Sequence, residues 1–387
     1  MTKKSRDAYD EEIRPSKKSS SSKGKKKPSS GKKHSKKEQA KKQRRRIILF
    51  IFEIFVLLIM VIVLYFVMQG SGSGHIKIEE SEIIINKEVK EATAEKTEED
   101  VGYKNIALFG VDSTTGALTK NTRSDTIMIA SINEKTGDCK LVSVYRDTYL
   151  NLSNDKYNKC NGAYATGGPK QAINMLNMNL DLDITDFVTV GFAGLTDTID
   201  ALGGVYITVE SDEISHLNNY QLCIAEDLKR SYTPVADTGY QLLNGLQATG
   251  YCRIRYTAGD DFKRAERQRE VLQAVADQAK KKPTALGQIA GDVFDEVYTS
   301  LDLDEIIGLL GDVMKYNIVE TSGFPQEEYR ATGTIGAKGS CVIPVNLEEN
   351  VKWLHQFLFD EYDYTPSATV QECSRQIEAD TSSYIKK

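Results

Sequence analysis

Residues 252–268, CRIRYTAGDDFKRAERQ, hold four arginines, one lysine and an aspartate pair, and no histidine. A guanidinium stays charged at any working pH, and its planar fork fits two oxygens of one phosphate. Arg253 and Arg255 are separated by one residue. Arg264 and Gln268 are four apart and share a face of a helix expected over 263–281, while Arg267 is less clearly aimed at the same point and reads as a surface or structural residue. The same residue types recur at the ends of upstream apolar runs. Asp112 closes 105–112, Arg123 and Asp125 open 125–132, and Arg146 and Asp147 follow 139–145. Arginines gathered at one point repel each other unless an anion sits among them. Carboxylates in their midst imply ion pairs, or a divalent cation joining protein to phosphate.

Other chemistries are disfavoured. Only His75, His216 and His355 follow residue 69, all away from these motifs, so a Ser-His-Asp triad or a histidine-rich zinc site is not expected. Phosphoryl transfer needs little more than positioning and charge neutralisation, which arginines and a metal ion supply.

The elements that must position these groups follow from periodicity. NIALFGVD (105–112), DTIMIASI (125–132), CKLVSVY (139–145), DFVTVGF (186–192) and VYITV (205–209) read as strands, with NEKTGD a hairpin turn. Residues 167–180, 193–204, 244–253, 263–281, 285–297 and 303–315 read as helices. Strands alternating with helices predict an α/β fold, a layered α/β/α domain around a central mixed β-sheet. In such sheets ligands bind beyond the carboxyl ends of strands, where the charged residues cluster.

Residues 1–46 carry 19 Lys and Arg against 5 Asp and Glu, a net +14; the remainder carries 31 against 50, a net −19. The basic stretch lacks apolar residues to bury and is expected to be a disordered tail. Residues 47–68, IILFIFEIFVLLIMVIVLYFVM, are apolar apart from Glu53 and, at about 33 Å as a helix, long enough to cross a bilayer. With Arg44–Arg46 on one side and acidic residues on the other, a single transmembrane helix is expected, the tail cytoplasmic and the rest outside. The tail then sets topology and touches the bilayer's anionic lipid. It has no recognisable helical DNA-binding motif, and no nucleic acid partner is expected. Residues 69–101 read as an extracellular linker, 102–360 as the folded domain with its motifs in 103–280, and 361–387 as a polar C-terminal tail. The six cysteines lie outside by this topology, where an even count permits disulfides.

The ordered motifs carry a resemblance. From about Tyr103 to Lys280, and more loosely to about Asp360, the chain resembles the LytR–CpsA–Psr family. The motifs are GVDS (110–113), RSDT (123–126), RDTY (146–149), KCNGAY (159–164) with GGP (167–169), DALGGV (200–205), LNGLQATGYCRIR (243–255) and DFKRAERQ (261–268). Two positions depart: Tyr145 stands where the family commonly has Pro, and Lys263 where it has Gly.

The resemblance implies a phosphotransferase that moves a glycopolymer from a polyprenyl-pyrophosphate carrier to peptidoglycan, forming a phosphodiester. By it, Asp112 and Asp125 hold Mg2+, or Mn2+ in its place, against the pyrophosphate. Arg123, Arg146, Arg253, Arg255, Arg264 and Gln268 grip its oxygens. Asp261 orients Arg264 or acts as base; the first is preferred, since an Asp among cations is a weak base. Asp147, Lys159 and Asn161 support the site, and Phe187, Val190, Phe192, Leu195 and Ile199 are the candidates to line a slot for the lipid, although core packing accounts for each of the five equally well. The same residues fit two alternatives: a polyprenyl-pyrophosphate hydrolase, and a non-enzymatic envelope regulator that senses a phosphorylated lipid.

Overall fold

The computed structural model describes residues 74–95, 102–113, 117–255, 257 and 259–385. The expected transmembrane segment and basic tail lie outside these residues. Among the described residues no helix is long and apolar enough to cross a membrane.

In chain order the elements are β1 (Gly74–His75), α1 (Lys87–Glu95), β2 (Tyr103–Val111), β3 (Ser124–Asn133), β4 (Asp138–Val144), β5 (Tyr149–Asn151), β6 (Tyr157–Lys159), α2 (Asn161–Leu180), β7 (Asp186–Val190) and α3 (Phe192–Ala201). There follow β8 (Val205–Val209), α4 (Ile214–Asp227), β9 (Gly239–Leu243), α5 (Gly245–Tyr251), α6 (Asp260–Lys280), α7 (Leu286–Val293), β10 (Val297–Thr299), α8 (Leu303–Gly311), β11 (Asn317–Phe324), β12 (Arg330–Thr334), β13 (Ser340–Pro344), α9 (Leu347–Phe359) and α10 (Ala368–Thr381).

The central sheet runs β1-β10-β7-β2-β3-β4-β11. It is mixed: β2 is antiparallel to β3 but parallel to β7, and β4 is antiparallel to β3 but parallel to β11. The β3–β4 hairpin is closed by Asn133, whose Oδ1 accepts from the Lys135 and Thr136 amides, an Asx turn.

Side-chain alternation splits the sheet into two differently used faces. Ala107, Phe109, Ile127, Ile129, Val142, Val144 and Phe187 join α2, α9 and α10 in the main core. The other face turns Leu108, Ala130 and Leu141 toward Leu272 of α6. A second core forms under the separate β8–β9 hairpin, where Val205, Ile207 and Val209 meet Ile199, Leu217 and Val271.

Two boundaries differ from the expectation. The segment after residue 361 is not simply a polar tail, because Val370, Cys373 and Ile377 of α10 are buried in the main core. Their spacing of three and four is a helical stripe that is easily hidden among charged neighbours. The end of the 69–101 linker also docks on the domain. Ile83 is buried, the Ile84 amide donates to Asn174 Oδ1 at 2.8 Å, and Asn86 Nδ2 donates to Asp181 Oδ1 at 2.6 Å. All six cysteines are unpaired.

Candidate active site

Each charged group of the site leaves an element end. Asp112 follows β2, Asp125 is the second residue of β3, and Arg146 leaves β4. Helix α5 starts at an Asn244–Gln247 capping box and delivers Arg253 and Arg255 just beyond its last turn. Helix α6 starts at Gly259, whose φ of +92° suits glycine, and carries Asp260 and Asp261 in its first turn, where the helix dipole favours anions.

Asp261 is the hub. Its Oδ2 accepts from Arg146 Nε at 3.1 Å and from Arg264 Nη2 at 3.3 Å, and its Oδ1 lies 3.3 Å from Arg255 Nε. Asp125 is the second anchor: Arg146 Nη1 donates to its Oδ1 at 2.7 Å, and Arg264 Nη2 donates to its backbone carbonyl at 3.1 Å. Arg253 lies 3.9 Å from Asp112 and over the rings of Phe192 and Tyr220, at 4.4 and 5.3 Å. Gln268 Nε2 reaches the Cys252 carbonyl at 3.4 Å. Burial works against charge on Arg146, yet Asp125 and Asp261 outweigh it and hold its pKa above the ordinary value. Arg264 is more deeply buried, and there burial wins and its pKa falls.

Several donors in this cluster have no acceptor. Arg264 Nε and Arg255 Nε and Nη2 are buried without a hydrogen bond. The Arg255 Nε contact to Asp261 is close enough to attract but not aligned to bond. Unmade hydrogen bonds of buried charged groups are expensive, and an anion's oxygens would complete them.

These groups border a cavity of about 330 Å³. Asp112, Asp125, Arg253, Arg255, Arg264 and Gln268 line one part, and Leu108, Met128, Val188, Val190, Leu195, Val271, Leu272 and Val275 supply apolar wall. Arg146 and Asp261 lie in an adjoining recess that shares Asp125, Arg264 and Gln268. Gly110 lines the cavity where a Cβ would come within 2.8 Å of Thr126 Oγ1.

Of the five residues expected to line a lipid slot, Val190, Phe192 and Leu195 line this cavity and two others do not. Phe187 is buried on the opposite face of the sheet, against Tyr298, because it alternates with Val188 along β7. Ile199 is buried in the second core. Arg123 is exposed before β3 and is not among the lining residues. Lys159 pairs with Asp147 at 3.2 Å, and the Asn161 amide donates to the Arg146 carbonyl at 3.1 Å; these residues brace the loop that presents Arg146. Of the two readings of Arg267, surface or structural, the structural one holds. Arg267 is buried, with Nε 2.7 Å from Glu213 Oε1 and Nη1 donating to the Ile254 carbonyl. Tyr220, Val271, Leu272 and Val275 were not anticipated. The signal for the last three was present, since positions 264, 268, 271, 272 and 275 share one helix face that begins polar and turns apolar.

Among the described residues no group of three or more His, Cys, Asp or Glu could cage an ion. Asp112 and Asp125 nevertheless line the same cavity, and Asp125 keeps Oδ2 more loosely engaged, 4.0 Å from Arg264. Two carboxylates completed by substrate oxygens suit Mg2+, which binds through few protein ligands.

The fold and the site define a class: a mixed α/β protein with a guanidinium cluster at the head of an apolar cavity. The chain belongs to the LytR_cpsA_psr family, which matches residues 66–345. It is 28% identical over 233 residues to the polyisoprenyl-teichoic acid–peptidoglycan teichoic acid transferase TagT of Bacillus subtilis, covering 59% of this chain and 70% of that relative. It is 33% identical over 197 residues to the biofilm regulatory protein A of Streptococcus mutans, where the match spans 48% of this chain and only 45% of the relative. The solved structure "TagT bound to LI-WTA" superposes with a TM-score of 0.51 at 25% identity, covering 66% of this chain and 90% of that one.

Proposed function

We propose that this protein transfers a glycopolymer from a polyprenyl-pyrophosphate carrier to peptidoglycan, working outside a membrane that residues 47–68 span. One observation carries the reading: Asp261 gathers Arg146, Arg255 and Arg264 at the head of an apolar cavity. The cations match a diphosphate and the apolar wall matches an isoprenoid chain. The names of family relatives that transfer teichoic acid to peptidoglycan support the same reaction.

In the proposed step an acceptor hydroxyl oxygen attacks the glycan-bearing phosphorus. The new P–O bond forms as the bridging P–O bond breaks, the hydroxyl proton passes to solvent or to the departing phosphate, and polyprenyl phosphate leaves. Arg146, Arg255 and Arg264 hold the charge that develops on the phosphate oxygens. Asp261, engaged by three guanidinium groups, orients them. Asp112 and Asp125 would hold Mg2+, which would supply further charge neutralisation when bound.

The test uses the full-length protein in detergent or nanodiscs, with a polyprenyl-pyrophosphate glycan and peptidoglycan. Release of polyprenyl phosphate together with glycan joined to the wall is the expected result. Release with free glycan phosphate instead would make the protein a hydrolase, and no turnover of either kind would remove the catalytic reading. Chelation by EDTA should stop transfer and added Mg2+ restore it; full activity in EDTA would remove the metal.

A further inference from the structure

Helix α6 has two working faces. Arg264, Gln268 and Val275 border the cavity described above, whereas Lys263, Arg269 and Gln273 border a separate groove of about 900 Å³ between α6 and the β8–β9 hairpin. The groove follows α6 from Lys263 to Lys280, about 25 Å at a helical rise. That is a shape for a strand rather than a small molecule.

Three features of its lining point to a ligand. Tyr206 and Tyr240 stack at 5.3 Å with planes 20° apart, and Tyr240 remains 73% exposed. Nε and Nη1 of Arg269 are buried and have no acceptor. The charges are mixed: Glu210, Glu266, Glu270 and Asp277 interleave with Lys263, Arg269, Lys280 and Lys281. Such a wall offers a polyphosphate chain no strong net attraction and suits a polymer of hydroxyls and amides with occasional carboxylates. The C–H faces of sugar rings stack on exposed aromatic rings, and hydroxyls bond to either charge. A role confined to bracing the hairpin would explain the tyrosine stack, since Thr208 pairs with Tyr240 and Tyr206 with Leu242. It would not explain the orphaned donors of Arg269.

Lys263 links the groove to the site. It stands at a departure from the family motif and two residues from Asp261, yet it pairs with Glu266 at 2.9 Å and lines the groove.

We propose that this groove is a second binding site, for an amino-sugar glycan strand that stacks on Tyr206 and Tyr240 and gives a carboxylate or carbonyl oxygen to Arg269. Its assignment as the acceptor site rests on the transferase reading; the binding itself does not.

The experiment measures binding of the full-length protein in nanodiscs to peptidoglycan glycan strands and to a β-1,4-linked N-acetylglucosamine hexamer. Tyr240→Ala should weaken both by about fivefold to tenfold, and Tyr240→Trp, which keeps a ring, should restore them. Arg269→Gln should weaken the carboxylate-bearing strands more than the neutral hexamer. Binding of polyprenyl pyrophosphate should not change in any variant. Unaltered glycan binding in both Tyr240→Ala and Arg269→Gln, at unchanged melting temperature, overturns the site. Tyr240-dependent binding by a protein that transfers nothing would sink the transferase reading and leave the groove standing.

Discussion

Arg146 and Asp261 lie 115 residues apart in the chain, and the Nε of one meets the Oδ2 of the other at 3.1 Å. One arises where β4 ends and the other where α6 begins, so the pair forms only when the sheet and the helix pack. Arg146 also bonds Asp125 and joins two carboxylates that otherwise belong to different elements.

Replacing Arg146 by Ala is therefore expected to abolish most transfer while sparing the fold. Losing one preorganised charge at a reacting phosphate lowers turnover by about 10²–10³. A partly exposed ion pair contributes about 1 kcal/mol at most, which moves the melting temperature by about 2–4 °C. Single-turnover transfer and calorimetry on the same preparation check both halves. Wild-type turnover, or a collapsed melting temperature, would remove Arg146 from the chemistry.

The sequence made the charged residues legible more readily than the walls around them. Asp112, Asp125, Arg146 and Arg264 sit at chain positions where polarity changes abruptly, and their types suggest their chemistry. Strands β2, β3 and β4 were readable because they are apolar runs with consecutive buried residues on both faces, and β7 because Phe187, Val188 and Val190 crowd five residues. For the same reason the runs did not say which side faces the cavity, and Phe187 was placed there in error. Strand β11, exposed or half-buried along its length except at Gly323 and Phe324, is an edge strand with little apolar signal and was missed. The helices α4, α9 and α10 hide their buried stripes among polar residues and were missed as well. The groove on the second face of α6 depends on where the β8–β9 hairpin folds back, which no local pattern records.

Val190 offers a test of the apolar wall. It lines the cavity near the cations, and Val190→Phe adds bulk where about 330 Å³ is available. Affinity for a long-chain polyprenyl pyrophosphate should fall about tenfold or more, while inorganic pyrophosphate should bind as before. Titration of both ligands decides the matter, and equal losses for the two would mean that the cavity does not hold the chain.

Arg267 makes the opposite prediction to Arg146. Its ion pair with Glu213 is almost wholly enclosed, so Arg267→Ala leaves a buried carboxylate without its partner, at about 3–5 kcal/mol. That is a large share of the 5–15 kcal/mol typical of a domain. The variant should show a strongly lowered urea midpoint, and Glu213→Gln added to it should recover part of the loss. A single variant that unfolds at the wild-type midpoint would contradict the structural role.

Glu296 predicts a pH dependence of stability. Burial, together with its contact to Asp197, pushes its carboxyl up from the ordinary 4.5 to about 6, although Arg230 pulls the other way. Arg230 is committed to Asp197 through Nη2 at 2.8 Å, which holds Asp197 low and leaves Glu296 Oε2 buried and unbonded. Between these two pKa values the folded state binds the proton more tightly than the unfolded chain. The contribution of Glu296 is thus fully present below pH 4.5 and is lost as pH rises through about 6. Glu296→Gln removes this titration and retains the neutral shape. Its melting temperature should exceed that of the wild type at pH 7, and the difference should close toward pH 4.5, with the change concentrated between the two values. A constant offset across that range would show that Glu296 titrates alike in the folded and unfolded chain.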